Sequence, residues 1–496
     1  MAGPMVVNVP ATGAKDEAGG QPWPSSAAAY FGLFAIIFST FINFFDQTTF
    51  GMLAQRVKVD FNLSDTQLGF VGGPASVVFF LFVGIPLARL ADIYPRKLVL
   101  AGGQVATGLV TALGGFAQNF VQFVGSRLFL GAGGSAHAPA SYSMLADYFP
   151  PRKITRAFAL LQLGFIGGNA IGTWLGGSLV YRLGSQAPGH FFGWRIFGWQ
   201  WILVGEGVAC MLAAVLLLMA KEPPRRLIAP REAQLLPTEK SSLGRKMLTF
   251  TGLDAAKAIH ERRRVYYPLF GALALSSVEN FGLQFWRVPM MVRSYGWNEE
   301  EIGEYMAPLV LVASLVGIML GGTVIEWMSK RYKDANVRMA AIVFTCTTVC
   351  AIIAPLMPTG GGALAVMALG SMFGIAGAVP QNAAIQRVAP NAMRGQVTAF
   401  YLFMFTFFGQ MGAFIVGVVN QNVIGNEREL WKALVLTAGI LLPIATILMY
   451  RAIRPYREEV ERLEAEEAAA AASLAAQSSP VDVAKILPVE EIVGQH

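Results

Sequence analysis

The chain predicts an all-α membrane protein with twelve transmembrane helices in two pseudo-symmetric six-helix bundles. Three observations carry that expectation. Hydrophobic residues make up 54% of the 496 residues and charged residues 14%, whereas soluble domains are about 25% charged. Apolar runs of about 20 residues, the length that crosses a bilayer, recur along most of the chain. A loop signature also occurs twice. Ala88, Asp92, Arg96 and Lys97 stand in one copy, and Gly322, Glu326, Lys330 and Arg331 in the other. In each copy a small residue precedes an acid by four, and a basic pair follows it by four and five. The apolar runs before them share text, Val83-Gly84-Ile85 and Val316-Gly317-Ile318. A repeat of this size in a membrane chain implies two related bundles, and transporters hold substrate between such bundles.

The expected spans are 28–53, 67–89, 98–117, 120–146, 157–181 and 199–220, then 266–292, 303–327, 339–357, 362–386, 396–420 and 430–452. This divides the chain into a tail over 1–27, a bundle over 28–220, a connection over 221–265, a second bundle over 266–452 and a tail over 453–496. In the connection, Glu222-Pro223-Pro224-Arg225-Arg226 stops the sixth helix. Residues 243–264 have an apolar face (Met247, Leu248, Leu253, Ala256) that fits a surface helix. The acidic, Ala-rich stretch 458–477 fits a short helix followed by disorder. The N-terminus is polar and shows no cleavable signal peptide.

Charge placement sets the expected orientation. Arg96, Lys97, Arg152, Lys153, Arg156, the basic 221–264 stretch, Lys330, Arg331, Lys333, Arg338, Arg387 and Arg394 fall on one side, while the opposite loops are sparse in basic residues. The positive-inside rule then puts both termini and the central connection in the cytoplasm of a multi-pass cell-membrane protein. The net charge of +7 follows from these loops and calls for no nucleic-acid partner. Cys210, Cys346 and Cys350 lie inside apolar segments and read as buried small residues, with no disulfide framework and no metal site. No cofactor is expected.

The duplicated halves, the twelve spans and the repeated signature in the loops between spans 2 and 3 and spans 8 and 9 together resemble the major facilitator superfamily over about residues 28–452. Asn43-Phe44-Phe45-Asp46, the stretch Asp60 to Gly69, and Arg127-Leu128-Phe129-Leu130-Gly131 resemble the spinster-type branch. The chain departs from those patterns at Ala88, where glycine is common, and at Glu326, where aspartate is common. It departs also at Gln47, where arginine often follows the helix 1 acid, and at Gly134, where that branch carries an acid. The last departure bears on any carry-over of its proton coupling.

Charge inside a bilayer costs about 2.5–3.5 kcal/mol on insertion scales and marks functional positions. Asp46 in span 1 and Arg127 in span 4 fall at matching depth, each about 10 Å below the outer surface at 1.5 Å per residue. They read either as a proton-gated pair, in which a protonated Asp46 frees Arg127 to hold an anion, or as a permanent salt bridge. Glu279 in span 7 is adjacent to Asn280, the repeat counterpart of Asp46, and reads as a proton carrier or as a neutral hydrogen-bonded acid. His137, about 15 Å deeper than Arg127, reads as a relay or a packing residue. Glu206 is a weaker acid of the same kind, and Arg287 reads as a snorkelling interface residue. Expected substrate contacts are Arg127, Asn43, Phe45, Asn280, Trp286, Gln381, Asn382 and Gln410. The amides serve equally as interhelix glue, and most aromatics near the site face lipid or other helices. Gly164, Gly168, Gly172 and Gly176 form a close-approach stripe suited to a sliding surface between halves or to static packing. Asp92, Arg96, Lys97, Arg156, Glu326, Lys330, Arg331 and Arg394 are the expected cytoplasmic gate, or else fix topology only.

These features predict a monomeric secondary transporter. It would move a small organic anion or an amphipathic, lipid-like molecule by alternating access, with protons and membrane lipids as its other partners. No phosphate-binding loop of the Gly-x-x-x-x-Gly-Lys-Ser/Thr kind occurs, so an ion gradient is the expected energy source. The alternatives are a proton-independent facilitator or exchanger and a non-transporting membrane sensor. An enzyme is disfavoured, because no nucleophile–base pair or metal-spaced cluster appears.

Overall fold

In a computed structural model the chain is described over residues 23–78, 94–134, 137–186, 188–191, 193–224, 257, 259–389 and 394–477. The first copy of the loop signature up to Ile93, most of the expected surface helix and the outer parts of both tails lie outside these residues. Asp92 of the expected gate is among them.

The first half comprises α1 (Ser26–Asp60), α2 (Asp65–Gly72, with helical residues on to 78), α3 (Arg96–Gly114) and α4, in the two pieces Phe120–Gly134 and His137–Tyr148. It is completed by α5 (Pro151–Gly184) and α6 (Gln200–Met219). The second half comprises α7 (Arg263–Tyr295), α8 (Glu299–Ser329), α9 (Ala335–Ile353), α10 (Gly360–Val388), α11 (Arg394–Val419) and α12 (Leu430–Gln477). Together they form the twelve-helix fold expected from the sequence. A hairpin of β1 (Gly189–Phe191) and β2 (Trp194–Ile196), which the sequence reading did not foresee, joins α5 to α6 and turns at Gly193 with φ +83°.

Local chemistry sets the helix ends. Ser64 caps α2 and Asn298 caps α8, each in a reciprocal box with the glutamine or glutamate three residues on. Gly296, at φ +72°, ends α7 in a left-handed cap. α12 runs far past the expected end of its span. Tyr456 and Val460 bury against the second half, while Arg457 binds Asp334 at 2.7 Å and Glu464 bridges Lys333 and Arg387. The segment read as a tail is therefore in part a docked continuation of the last helix. Among the described residues nine helices are long and apolar enough to span a membrane. α7 is not one of them, and its polar residues include Glu279, Asn280, Gln284 and Arg287.

The apolar cores show where the halves meet. One core lies within the first half near the termini, around Leu33, Leu100, Met144, Tyr148 and Leu217. Another lies within the second half, around Tyr266, Leu269, Val337, Ile385 and Tyr456. At the end of the bundle opposite the termini a single core draws on both halves, with Leu53, Val57, Leu68, Trp286, Met290, Ile302 and Leu364. Backbones there approach so closely that only glycine fits. A Cβ on Gly303 of α8 would lie 2.8 Å from the Thr173 carbonyl of α5, and one on Gly69 or Gly73 of α2 would collide with the α11 backbone at Ala413 or Gln410.

Ion pairs seal the same end. Asp65, 4% exposed, accepts from Lys58 (2.6 Å), from Arg293 (2.9 Å) and from the Asn420 amide (2.6 Å), so α1 and α2 are tied to α7 and α11. Arg56 grips Glu299 through two bonds of 2.8 and 3.1 Å, Lys58 reaches Glu427 at 2.6 Å, and Arg182 reaches Glu300 at 3.1 Å. Asp65 lies just outside its span. Burial raises its pKa, but Arg293 and Lys58 outweigh burial and hold the carboxyl below its ordinary 3.8. Near the termini the ion pairs among the described residues stay within a half. Arg96, 3% exposed, binds Asp147 and Glu222 of its own half, and Lys97 donates to the Leu218 and Ala220 carbonyls at the end of α6.

The glycine stripe of α5 packs within the first half, not between halves. Cβ atoms on Gly164 and Gly168 would lie 2.8 Å and 2.6 Å from the carbonyl oxygens of Ile37 and Phe41 in α1. The α5 glycine that meets the other half is Gly177, one residue off the stripe, against Glu299 and Gly303.

Two predictions follow from this packing. Gly168→Val destabilises the protein by about 1–3 kcal/mol through forced separation of α1 and α5, seen as a lower melting temperature. Gly205→Ala, whose Cβ meets nothing within 4 Å, leaves it unchanged or higher. Asp65→Asn removes the shared counterion of Lys58 and Arg293. Breaking a buried pair costs about 3–5 kcal/mol, roughly a 10²–10⁴-fold shift towards opening at this end. The readout is maleimide labelling, from the side opposite the termini, of Gly51→Cys in a background without the native cysteines. Unchanged labelling would refute the role given to Asp65. Because its pKa is depressed, its contribution is complete above 3.8 and is lost only as pH falls through the lower, folded value. Labelling of the native gate is therefore flat from about pH 5 to 8.

Candidate functional site

Helix α1 carries the polar side of the site. Ser39, Asn43, Asp46 and Phe50 recur at helical spacing and face α3, α4 and α6. Near the termini His137 Nε2 lies 2.9 Å from Ser39 Oγ. Ser39 donates to Gln104 Oε1 at 3.2 Å, and Gln104 Nε2 donates to Asn43 Oδ1 at 3.2 Å. Ser39 has one hydroxyl proton. With that proton on Gln104, His137 donates through Nε2 and is the Nε2-protonated tautomer by hydrogen-bond accounting.

One turn beyond Asn43 lies a cluster of three buried ionisable groups: Asp46 (6% exposed), Arg127 (3%) and Glu206 (5%). Arg127 acts electrostatically on both acids, but it does not close a contact ion pair with Asp46. Its guanidinium lies over the Phe50 ring, 3.9 Å from the centroid, and its Nε and Nη2 are buried without a hydrogen-bond partner. Asp46 Oδ1 and both Glu206 oxygens likewise close no hydrogen bond of ordinary geometry, with the Thr49 hydroxyl near Glu206. The two carboxyl groups are close enough to act on each other, and a hydrogen bond between carboxyls would require one proton between them. Glu206, ranked low from sequence, is thus as central as Asp46. Only its span position and its two flanking glycines signalled it.

In α7, Glu279 is buried and Asn280 is exposed. Trp286 is a correction. It is fully buried and its indole N–H is committed to the Ala413 carbonyl at 2.7 Å, so it has no surface to offer a substrate. Arg287 is a second correction. Instead of snorkelling it lines a cavity between the halves, together with Gln47, Thr48, Gly51, Phe281, Gln284 and Gln410. Of the other expected contacts, Gln410 lines this cavity, Phe45 stacks near Phe41 on α1, and Asn382 donates to the Ala378 carbonyl of its own helix. Gln381 is partly buried in α10, near Gly377.

Among the described residues, those expected to gate the cytoplasmic side make no ion pair across the halves. Glu326 and Lys330 pair along their own helix, both largely exposed, and Arg331 and Arg156 are exposed. The backbone of Arg394 begins α11, and its side chain is outside the described set. Among the described residues no group of three or more His, Cys, Asp or Glu could hold a metal ion.

This architecture can be set beside known proteins. The chain is 24% identical over 444 residues to an MFS-type efflux pump of Mycolicibacterium smegmatis, covering 88% of this chain and 95% of that one. It is 24% identical over 432 residues to a hexuronate transporter of Bacillus subtilis, covering 86% and 94%. Its fold matches the crystal structure of a bacterial homolog of the human lysosomal transporter Spinster, with a TM-score of 0.68 at 20% identity over 88% of this chain and 98% of that one. A family model described as Major Facilitator Superfamily matches residues 36–413, and the chain therefore belongs to that superfamily as a multi-pass membrane transporter.

Proposed function

We propose that this transporter moves a small organic anion or an anionic amphipath by alternating access, coupled to protons through Asp46 and Glu206. The observation that carries the coupling is the buried trio of Asp46, Glu206 and Arg127, whose polar atoms are left without fixed partners. Structural ion pairs are normally satisfied, because a half-satisfied buried charge is costly. A trio that exchanges a proton keeps such a vacancy by necessity. With one proton shared by the pair, the single remaining carboxylate charge balances Arg127; without it the trio carries a net negative charge, and only a second proton leaves Arg127 without a counter-charge. His137, Ser39, Gln104 and Asn43 extend polar contact from this trio towards the termini. Glu279, buried in the other half, is a further candidate carrier. The hexuronate transporter among the relatives moves a carboxylate, which supports the anion class.

With the termini in the cytoplasm, the sealed end is the outer face, and the state is inward-facing. On this reading the cytoplasmic gate is apart because the outer one is shut. Arg96 and Lys97, with Glu326, Lys330 and Arg331, would form it when the cycle reverses. One chain supplies both bundles and the cavity between them, so a monomer suffices.

The test is substrate-coupled proton movement. Proteoliposomes loaded with a pH-sensitive dye receive benzoate, octanoate or galacturonate. The native protein changes the lumenal pH on adding a transported acid, while Asp46→Asn and Glu206→Gln lose the proton signal and retain exchange of labelled for unlabelled acid. Accumulation by the native protein with no proton movement would leave a facilitator or exchanger in its place.

A further inference from the structure

Arg287 stands apart from the charges used above. It makes no hydrogen bond or ion pair with any described residue, and its Nε is buried with no acceptor. Arg287 is half-buried, and a partly desolvated cation without a counterion is a costly arrangement. The side chain lies where two lobes of empty space meet. One lobe, about 540 Å³ including its opening, is lined by the amides of Gln47, Gln284 and Gln410 and by Phe281 and Phe285, and it takes residues from both halves. The other is narrower, about 230 Å³ including the space open to solvent, and is lined by Met306, Leu309, Val310, Leu364, Met367 and Ala368, with Ser371 its one hydroxyl. A fixed positive charge therefore stands between a polar lobe rich in uncharged donors and an apolar lobe confined to the second half. Gln47, Gln284 and Gln410 can each donate to an oxyanion without adding charge, and a guanidinium binds a carboxylate through two parallel bonds.

Resting on the anion reading of the transported class, we propose that Arg287 is the substrate's anion-binding residue. It would hold the carboxylate of a singly charged amphipathic acid with the help of the three glutamines, while the apolar part of the acid enters the lobe between α8 and α10. Arg127, surrounded by Asp46 and Glu206, then serves coupling instead of binding. The site includes residues of both halves, Gln47 and Gly51 on one side and Arg287 on the other, so a bound acid bridges the two bundles beneath the seal formed by Asp65.

The experiment uses the purified full chain and has two arms. In the first, no ligand is present and melting temperatures are compared. Arg287→Gln removes an uncompensated charge and is expected to raise the melting temperature by about 2–6 °C. A fall would mean that Arg287 has a structural partner and would overturn the proposal. In the second arm, octanoate, benzoate and galacturonate are titrated by calorimetry against the native protein, Arg287→Gln, Arg287→Lys and Arg127→Gln, with octanol and galactose as uncharged controls. The expected result is that octanoate binds best and the controls do not bind. Arg287→Gln would then weaken octanoate at least tenfold, Arg287→Lys would recover part of that loss, and Arg127→Gln would stay within threefold of native. If octanoate binds the native protein and Arg287→Gln equally, the assignment to Arg287 is wrong and the anion class survives. Loss of binding in Arg127→Gln alone moves the site to Arg127. If no acid binds the native protein, the anion class fails and this assignment fails with it.

Discussion

A buried carboxylate stands at the centre of the junction between the two halves. Asp65 sits at the tip of α2, where the chain has just turned back from α1. It meets a cation from its own half, Lys58, and a cation and an amide from the other half, Arg293 and Asn420. A carboxylate has about four acceptor sites, and this one uses them to join four helices. Arg293 also lies 5.5 Å from the Trp286 ring and donates to Gln55 at 2.8 Å, so the junction is continuous with the shared apolar core. The cavity beneath it has a closed roof because of this junction, and the separate cores near the termini follow from the same geometry. Rigid bundles that close at one end part at the other.

That junction needs backbones to approach closely before the charges can reach. Gly303 against Thr173, and Gly69, Gly73 and Gly417 along the α2–α11 seam, remove the side chains that would hold the helices apart. In lipid, helix association has little hydrophobic drive and rests on such packing and on polar contacts. The α5 stripe serves the same physics inside one bundle, where it fixes α1. This placement explains why Phe44, Phe45 and Thr48 keep their register against α5. A stripe of glycines reads the same in sequence whichever helix it faces, so its partner could not be assigned in advance.

The fold was legible because its causes are local. Span length, loop charge and a duplicated signature each follow from a few neighbouring residues. Asp46 and Arg127 were legible as intramembrane charges, and their adjacency followed from depth. What escaped the reading depended on distant partners. The Asp65 junction joins residues separated by 228 and 355 positions, and its members look like ordinary loop charges until the halves are brought together. Glu206 gained weight only when α6 placed it beside Asp46. Arg287 sat near a span end, where a long cationic chain ordinarily reaches the interface. The fold turns it inward, towards α8 and α10, where α8 and α10 offer apolar side chains and no acid. Trp286 failed in the opposite sense, because an aromatic beside a cavity is as often a structural anchor as a contact, and the Ala413 carbonyl decides it.

The unpartnered charges form two sets with different surroundings, and the difference constrains how a cycle could work. The trio in the first half comprises one cation and two acids, all within one bundle, so its internal balance can change with a proton without moving a helix. Arg287 is a lone cation in the second half facing space shared with the first. A ligand there alters the balance between bundles, since it can touch Gln47 on α1 and Arg287 on α7 together. Asp46 and Gln47 are consecutive residues on α1. Anything that draws Gln47 towards the cavity therefore acts on the helix that also presents Asp46 to Glu206. On the proposed reading, coupling between proton and anion requires no long relay. It requires α1 to carry a proton-sensitive group on one face and a substrate contact on the next, and to tilt as a unit against the seal at Asp65.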